Sequence, residues 1–322
     1  MSRLTLRDLR VFFDRPRTKA AAVDGISLDL RSGSVLALIG ESGSGKTMTA
    51  LSLLGLTPPE AEISGHLETD SHSIPLNNVT ALAALRGREI GLIFQDPLSS
   101  LNPVICVGEQ VAEVFRRHAA VTRKMARAAT SALLQQLGLP DPGQRLHDYP
   151  HQFSGGQRQR IAIAMAIAAN PRFLIADEPT TALDVTIQAQ LMELLQHLVE
   201  AGMGLLLITH DIALAAENAD EIAIIYAGRI VESGACADLV TRPRHPYTAL
   251  LLATALATDP RQITNIDGGD AIGEQSWQSG CAFAPRCPAA TGRCRSETPA
   301  LATAEGNKFA CHHPLALPES RS

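Results

Sequence analysis

The chain has 322 residues, of which 45% are hydrophobic and 19% are charged, as expected for a globular protein with a buried core and room for an appendage. Its net charge of −5 argues against a protein built to bind nucleic-acid phosphates. No apolar stretch reaches the roughly 20 residues of a membrane-spanning helix, and the polar N-terminus lacks the apolar core of a signal peptide. We therefore expect a cytoplasmic protein that would serve a membrane process only by docking onto other chains.

The sequence predicts two kinds of β-strand. Residues 4–30 alternate between apolar and polar, which predicts half-buried antiparallel strands. Three later runs are apolar on both faces, which is typical of strands buried within a parallel sheet. These runs are Val35–Ile39, Phe173–Ala176 and Leu205–Ile208. The last two end in polar residues, at the edge where open α/β sheets carry their chemistry.

Helical periodicity dominates residues 97–169, notably in Arg123–Leu137 and after Ser154. We therefore expect a helical subdomain inserted into an α/β core. Further on, Ile222–Val231 predicts a hairpin that turns at Ala227-Gly228. After Leu256 the periodicity is lost and the chain becomes rich in Gly and Pro.

A glycine-rich loop joins the first buried run to a predicted helix and fits the phosphate-binding pattern G-x-x-x-x-G-K-[ST]. The loop reads Gly40-Glu41-Ser42-Gly43-Ser44-Gly45-Lys46-Thr47. Its glycines would let backbone N–H groups converge on phosphates at the positive end of a helix dipole. Lys46 would reach the β- and γ-phosphates, and Thr47 would ligate Mg²⁺. The alternative, a surface turn with an exposed lysine, is disfavoured by the strand-to-helix context, so the loop predicts ATP binding.

Polar side chains follow the other buried runs. Asp177 and Glu178 come directly after the second run, which predicts a carboxylate for the Mg²⁺ shell and a general base for the attacking water. Gln95, after Ile90–Phe94, is a candidate contact for Mg²⁺ or water, although a lone Gln at a strand end is usually structural. His210 ends the third run, and alone it would more often be a core histidine.

The segment Phe153-Ser154-Gly155-Gly156-Gln157 completes a set of motifs. In isolation Ser154 would be only a helix N-cap. This segment occurs with the phosphate loop, Gln95, Asp177-Glu178, Ala182-Leu183-Asp184 and His210. With this set of motifs, residues 4–256 resemble the nucleotide-binding subunits of ABC transporters. The signature starts with Phe where that family usually has Leu, a departure away from the polar contacts. The implied fold is a P-loop NTPase core with a parallel sheet, an N-terminal antiparallel β subdomain, the helical insertion and a small Cys-rich C-terminal extension.

The resemblance implies a composite site made by two such domains head to tail. The Ser154–Gln157 signature of one chain would contact the γ-phosphate held on the phosphate loop of the other. Phe13 would stack on adenine, and Gln95 would sense Mg²⁺ and the membrane partner. Asp184 would line the dimer interface, and His210 would contact the γ-phosphate. Residues 1–256 would be the nucleotide-binding domain, and residues 257–322 the extension.

A narrower resemblance rests on Ile93–Pro103, Thr181–Thr186 and His245–Leu251, which are similar to the ATPases of bacterial oligopeptide, dipeptide and nickel importers. The segment Gly280–Pro288 resembles the ATPases of the peptide-importer branch in particular. That branch implies a second, related ATPase subunit, two transmembrane permease subunits and an extracytoplasmic solute-binding protein, with this chain on the cytoplasmic face of the bacterial inner membrane. Import of nickel or another small solute stays open.

Two other classes are open. A cytosolic ATPase acting on nucleic acid or ribosomes is disfavoured, because the stretch from Lys46 to Asp177 holds no long coiled coil and each motif occurs once. A regulatory or metal-sensing ATPase is suggested by the cysteines at the C-terminus. Co-purification with membrane proteins would separate it from an importer subunit.

Four of the six cysteines crowd the last 42 residues. Cys281, Cys287, Cys294 and Cys311 are separated by five, six and sixteen residues. A reducing compartment disfavours disulfides, so the cluster suggests a metal that staples a segment poor in apolar surface. The gaps are wider than zinc knuckles, which together with the resemblance favours a [4Fe–4S] cluster. Zinc, with His312 or His313, and four unrelated thiols are the alternatives, and no sequence feature links this region to the phosphate loop.

Overall fold

In the computed structural model, residues 2–15, 18–96, 100–181, 183–256, 279–304 and 306–316 are described. The expected domain boundary after residue 256 adjoins a segment outside these residues. Two compact units are present. The first comprises residues 1–2, 30–34 and 80–206, and the second comprises residues 3–29, 35–79 and 207–322.

The strands of the second unit form two groups. The first group has the order β2-β1-β4-β5, with β4 antiparallel to both β1 and β5. It contains β1 (Arg3–Arg15), β2 (Thr18–Arg31), β4 (Ala61–Glu68) and β5 (Ser73–Pro75). As the alternation predicted, Ile26 and Leu30 of β2 are buried.

The second group has the order β11-β12-β10-β9-β3, in which β3 and β9 are parallel and the other neighbours are antiparallel. It contains β3 (Val35–Ile39), β9 (Glu221–Tyr226), β10 (Arg229–Ala235), β11 (Ala302–Ala304) and β12 (Asn307–Phe309). The β9–β10 hairpin turns at Ala227 and Gly228, both with positive φ, as the sequence predicted.

The described residues of the second unit also form five helices. They are α1 (Lys46–Leu53), α8 (Ile212–Asn218), α9 (Cys236–Thr241), α10 (Pro246–Leu256) and α11 (Gly292–Ser296). A short 3₁₀ turn, Ala284–Arg286, precedes α11. The helix α2 (Val79–Ala83) lies at the boundary with the first unit.

The first unit pairs two parallel strands, β6 (Ile90–Ile93) and β7 (Phe173–Asp177), and β8 (Gly204–Thr209) starts here and ends in the second unit. Both β7 and β8 are buried along their whole length, as their unbroken apolar runs predicted. The described residues of this unit also form five helices and a 3₁₀ turn. They are α3 (Val107–Ala119), α4 (Arg123–Gln136), α5 (Pro142–Arg145), the turn Pro150–Gln152, α6 (Gly155–Ile167) and α7 (Val185–Glu200).

Within the described ranges, no helix combines the length and apolarity needed to cross a lipid bilayer.

Candidate functional site

The phosphate loop runs from the end of β3 to the start of α1, and its glycines are required by close backbone contacts. A Cβ on Gly40 would lie 2.3 Å from the carbonyl oxygen of Ile225. Gly45, the N-cap of α1, has φ +108°, and a Cβ there would lie 2.6 Å from the carbonyl oxygen of Ala22. The loop can therefore follow this path only if both positions lack a side chain.

Lys46 lies on the inner side of the loop. Its side chain is buried, and Nζ donates hydrogen bonds to the carbonyl oxygens of Gly40 at 2.8 Å and Glu41 at 3.0 Å. The first turn of α1 contains no acidic residue, so the positive end of the helix dipole is not offset there. Ser44 is fully buried, while Thr47 is exposed and can ligate a cation with its hydroxyl. This combination suits a polyphosphate anion.

The first unit brings Gln95 and Glu178 together. Gln95 Nε2 donates a hydrogen bond of 3.0 Å to Glu178 Oε2, and Thr181 Oγ1 donates one of 3.1 Å to the same oxygen. Asp177 is the last residue of β7 and is buried, whereas Glu178 follows it with φ +46°, an unusual conformation for a residue other than Gly. Such strained positions are typical of functional sites.

The Ser-Gly-Gly-Gln segment forms the exposed N-terminus of α6. Ser154 is the N-cap: its Oγ accepts from the Gln157 N–H, and Gln157 Oε1 accepts from the Ser154 N–H at 3.1 Å. A Cβ on Gly155 would meet nothing within 4 Å, whereas one on Gly156 would lie 3.0 Å from Ile187 Cγ2. Phe153 is buried, and the Arg145 guanidinium lies 4.0 Å from its ring centroid, which accounts for an aromatic residue here.

The other predicted residues lie at element ends or on a strand. Asp184 is the exposed N-cap of α7, and its Oδ1 accepts from the Ile187 N–H at 2.9 Å. His210 is exposed directly after β8. Phe13 lies on β1 opposite Ala61 of β4 and is half-buried.

The predicted residues are divided between the units. The first unit holds Gln95, Ser154–Gln157, Asp177, Glu178 and Asp184, and the second holds Phe13, Gly40–Thr47 and His210.

The four C-terminal cysteines line one small cavity, together with His245, His312 and His313. Burial raises the pKa of the Cys281 and Cys287 thiols, and it raises that of Cys311 to about 11. Among the described residues, no three His, Cys, Asp or Glu side chains are arranged as a metal site. The donors therefore converge on one cavity without reaching metal-ligand geometry, and a set of four thiols suits a soft metal or cluster.

The segment that carries these cysteines packs on the rest of the second unit through an apolar core and through strand pairing. Phe283 is buried in one apolar core with Tyr226 and Tyr247, and β12 extends the sheet by pairing with β10. These contacts add apolar and main-chain support to a segment that we expected a metal to staple.

The structure connects the cysteine region with the phosphate loop, although no sequence feature links them. Arg286, directly before Cys287, donates from Nη1 and Nη2 to the two carboxylate oxygens of Glu41 at 2.8 and 3.0 Å. Tyr247 Oη accepts from the Glu41 N–H at 3.1 Å. Sequence reasoning missed both contacts because they join positions 245 and 206 apart, and no local pattern marks them.

Two family models match the chain. One describes the ABC transporter family and matches residues 23–181, and the other describes the C-terminal region of oligopeptide/dipeptide transporters and matches residues 231–294.

Curated relatives match nearly end to end. The dipeptide transport ATP-binding protein DppD of Escherichia coli is 44% identical over 320 residues, which cover 98% of each chain. The oligopeptide transport ATP-binding protein AppD of Bacillus subtilis is 40% identical over 305 residues, which cover 93% of each. Among solved structures, the dimeric ATP-binding cassette MJ0796 in a post-hydrolysis state with ADP and Pi has a TM-score of 0.63 at 28% identity, over 72% of this chain and 98% of that one. The fold is therefore that of an ABC ATPase cassette, a mixed α/β architecture.

Proposed function

The chain belongs to the ABC transporter ATP-binding proteins, in the group of dipeptide and oligopeptide transport subunits, and we propose that it hydrolyses ATP to power the import of peptides. One observation carries the ATPase assignment. The loop Gly40–Thr47 connects the buried strand β3 to the N-terminus of α1, and its carbonyl oxygens accept hydrogen bonds from the Lys46 ammonium. Such a loop is built to bind the phosphates of a nucleotide.

Two carboxylates and one amide support hydrolysis. Glu178 accepts the proton of the attacking water, and Gln95, at hydrogen-bond distance from it, orients that water. Thr47, Gln95 and Asp177 supply the oxygen donors that a Mg²⁺ ion prefers. When bound, Mg²⁺ would neutralise negative charge on the nucleotide phosphates. Lys46 binds the same phosphates from inside the loop, and Phe13 stacks on the adenine ring.

The second half of each site comes from another chain. The N–H groups of Ser154 and Gln157 are taken by the capping box, so the exposed N-terminus of α6 presents the backbone N–H groups of Gly155 and Gly156, which suits contact with a γ-phosphate held by a partner subunit. Asp184 and His210 complete the interface and the γ-phosphate contacts. The partner is a second, related ATPase subunit, as the resemblance implies.

We further propose that residues 1–256 form the nucleotide-binding domain, with a helical subdomain over about residues 97–169, and that residues 257–322 form an extension. The assembly contains two transmembrane permease subunits and receives its solute from an extracytoplasmic binding protein. The chain acts at the cytoplasmic face of the bacterial inner membrane. Nucleic acid has no part in this function.

The purified subunit should hydrolyse ATP slowly, because each site lacks the signature segment of its partner. Adding the partner ATPase and the permease subunits should raise turnover, and a binding protein loaded with di- or oligopeptide should raise it further. Stimulation by a nickel-loaded binding protein instead would assign the chain to nickel import. Full, solute-responsive turnover by a stable monomer would refute the two-chain site.

For the C-terminal cysteines we propose a [4Fe–4S] cluster held by Cys281, Cys287, Cys294 and Cys311, because all four thiols line one cavity. The cluster would tie the extension together, or sense redox state. Anaerobically purified protein should be brown, with iron and acid-labile sulfide in equal amounts. Colourless protein with one zinc would favour the zinc alternative, and metal-free protein with four titratable thiols would exclude both.

A further inference from the structure

The carboxylate of Glu41 is the one negative charge that the chain places within its phosphate loop. Arg286 binds it through two parallel hydrogen bonds, and the two side chains retain 15% and 30% of their accessible surface for Arg286 and Glu41. A bidentate pair that is partly withdrawn from water is stronger and more directional than an exposed one. The loop therefore meets its ligand with its own carboxylate neutralised.

Arg286 is held in place by the segment around it. It ends the 3₁₀ turn Ala284–Arg286, and its N–H donates to the carbonyl oxygen of Phe283 at 3.0 Å. Phe283 is buried and packs edge-to-face on Tyr226, with ring centroids 5.4 Å apart. The buried ring therefore anchors the turn that carries Arg286.

A second connection runs beside the first. Tyr247 packs against Tyr226 with centroids 4.7 Å apart, and its hydroxyl accepts from the Glu41 N–H. The N–H of Tyr247 in turn donates to Nδ1 of His245, which lines the cysteine cavity. The backbone and the carboxylate of one loop residue are therefore both bound by the part of the unit that surrounds the cysteines.

We propose that Arg286 is a positioning residue of the ATP site, a built-in counter-charge by which the C-terminal cysteine segment sets the affinity of the phosphate loop for nucleotide. The inference rests on the proposed function in one respect, that the loop binds ATP. Without Arg286, the Glu41 carboxylate would repel the incoming phosphates, and the loop would lose one of its two contacts from the cysteine segment and its surroundings. The repulsion grows with the number of phosphate charges and falls with added salt.

The test compares Arg286→Ala with Arg293→Ala in the full-length chain. Arg293 lies in the same segment and pairs with Glu297 at 2.8 Å, but both side chains of that pair are exposed. Arg286→Ala should weaken MgATP binding about fivefold or more, at the low end of the usual range for coupled sites. It should weaken ADP binding less and leave adenosine binding unchanged. The loss should shrink in high salt, whereas Arg293→Ala should bind all three ligands as the wild type does.

A second variant separates the counter-charge from simple damage to the segment. Glu41→Gln removes the charge that Arg286 neutralises, so the double variant Glu41→Gln/Arg286→Ala should recover most of the ATP affinity. A misfolded segment would not be rescued by a change in the loop. Equal ATP affinities for the two Arg variants, an equal loss for adenosine and ATP, or no rescue by Glu41→Gln would each overturn the proposal. A wild-type chain that fails to bind ATP would refute the proposed function instead.

Discussion

The substitution Glu178→Gln should abolish turnover while keeping the fold. Glu178 Oε2 accepts hydrogen bonds from Gln95 and Thr181, and a glutamine at this position can offer its carbonyl oxygen to both donors. The amide cannot take the proton of the attacking water. Loss of a general base costs about 10²–10⁴-fold in rate, or about 2.7–5.4 kcal/mol on the barrier at about 1.36 kcal/mol per tenfold.

The assay measures phosphate release at saturating MgATP, and nucleotide affinity and association state are measured on the same samples. The variant should bind MgATP at least as tightly as the wild type and should accumulate in an ATP-bound closed dimer with its partner, because both faces hold an unhydrolysed γ-phosphate. Glu193→Gln is the matched control, since it makes the same chemical change at an exposed position on α7. Near-wild-type hydrolysis by Glu178→Gln would remove Glu178 from the mechanism.

Three further substitutions test the loop and the signature. Lys46→Ala should weaken MgATP binding itself, as measured by nucleotide titration, because it removes the ammonium that is bound to the Gly40 and Glu41 carbonyls. Gly40→Ala should lower the free energy of unfolding by about 1–3 kcal/mol in denaturant titration, because the added Cβ would overlap the Ile225 carbonyl oxygen. Gly155→Ala should leave stability unchanged, since its Cβ meets open space, but should lower ATPase activity in the assembled transporter by obstructing a partner's phosphate.

Much of the fold could be predicted from local patterns, because each pattern is contained in a few neighbouring residues. The unbroken apolar run of Val35–Ile39 corresponds to a fully buried strand, and Ala227-Gly228 corresponds to a turn in which both residues have positive φ. The two short strands β11 and β12 carry no such signal. Each has only three residues, too few for alternation to be recognised, and their place at the sheet edge depends on pairing with β10.

In the site, as in the fold, local features could be predicted and contacts between distant residues could not. Gly40–Thr47 could be predicted because one contiguous loop contains every group it needs. The Gln95–Glu178 hydrogen bond could be anticipated only as two separate candidates, since its members are 83 positions apart. The pairing of Arg286 with Glu41 could not be predicted, because an Arg next to a Cys indicates nothing about a carboxylate in another part of the chain.

The long-range contacts of the phosphate loop also bear on when the site matures during synthesis. Gly40 packs on the Ile225 carbonyl, and Glu41 is bound by Tyr247 and Arg286, so every one of these supports emerges from the ribosome long after the loop. Contacts of such sequence separation form late, because the intervening chain must first be closed into a loop. A nascent or truncated chain therefore carries the ATP-binding sequence without the supports that fix its shape. Arg286 is the last of these supports to be synthesised, so the full set of contacts to the loop can form only after that residue has been made.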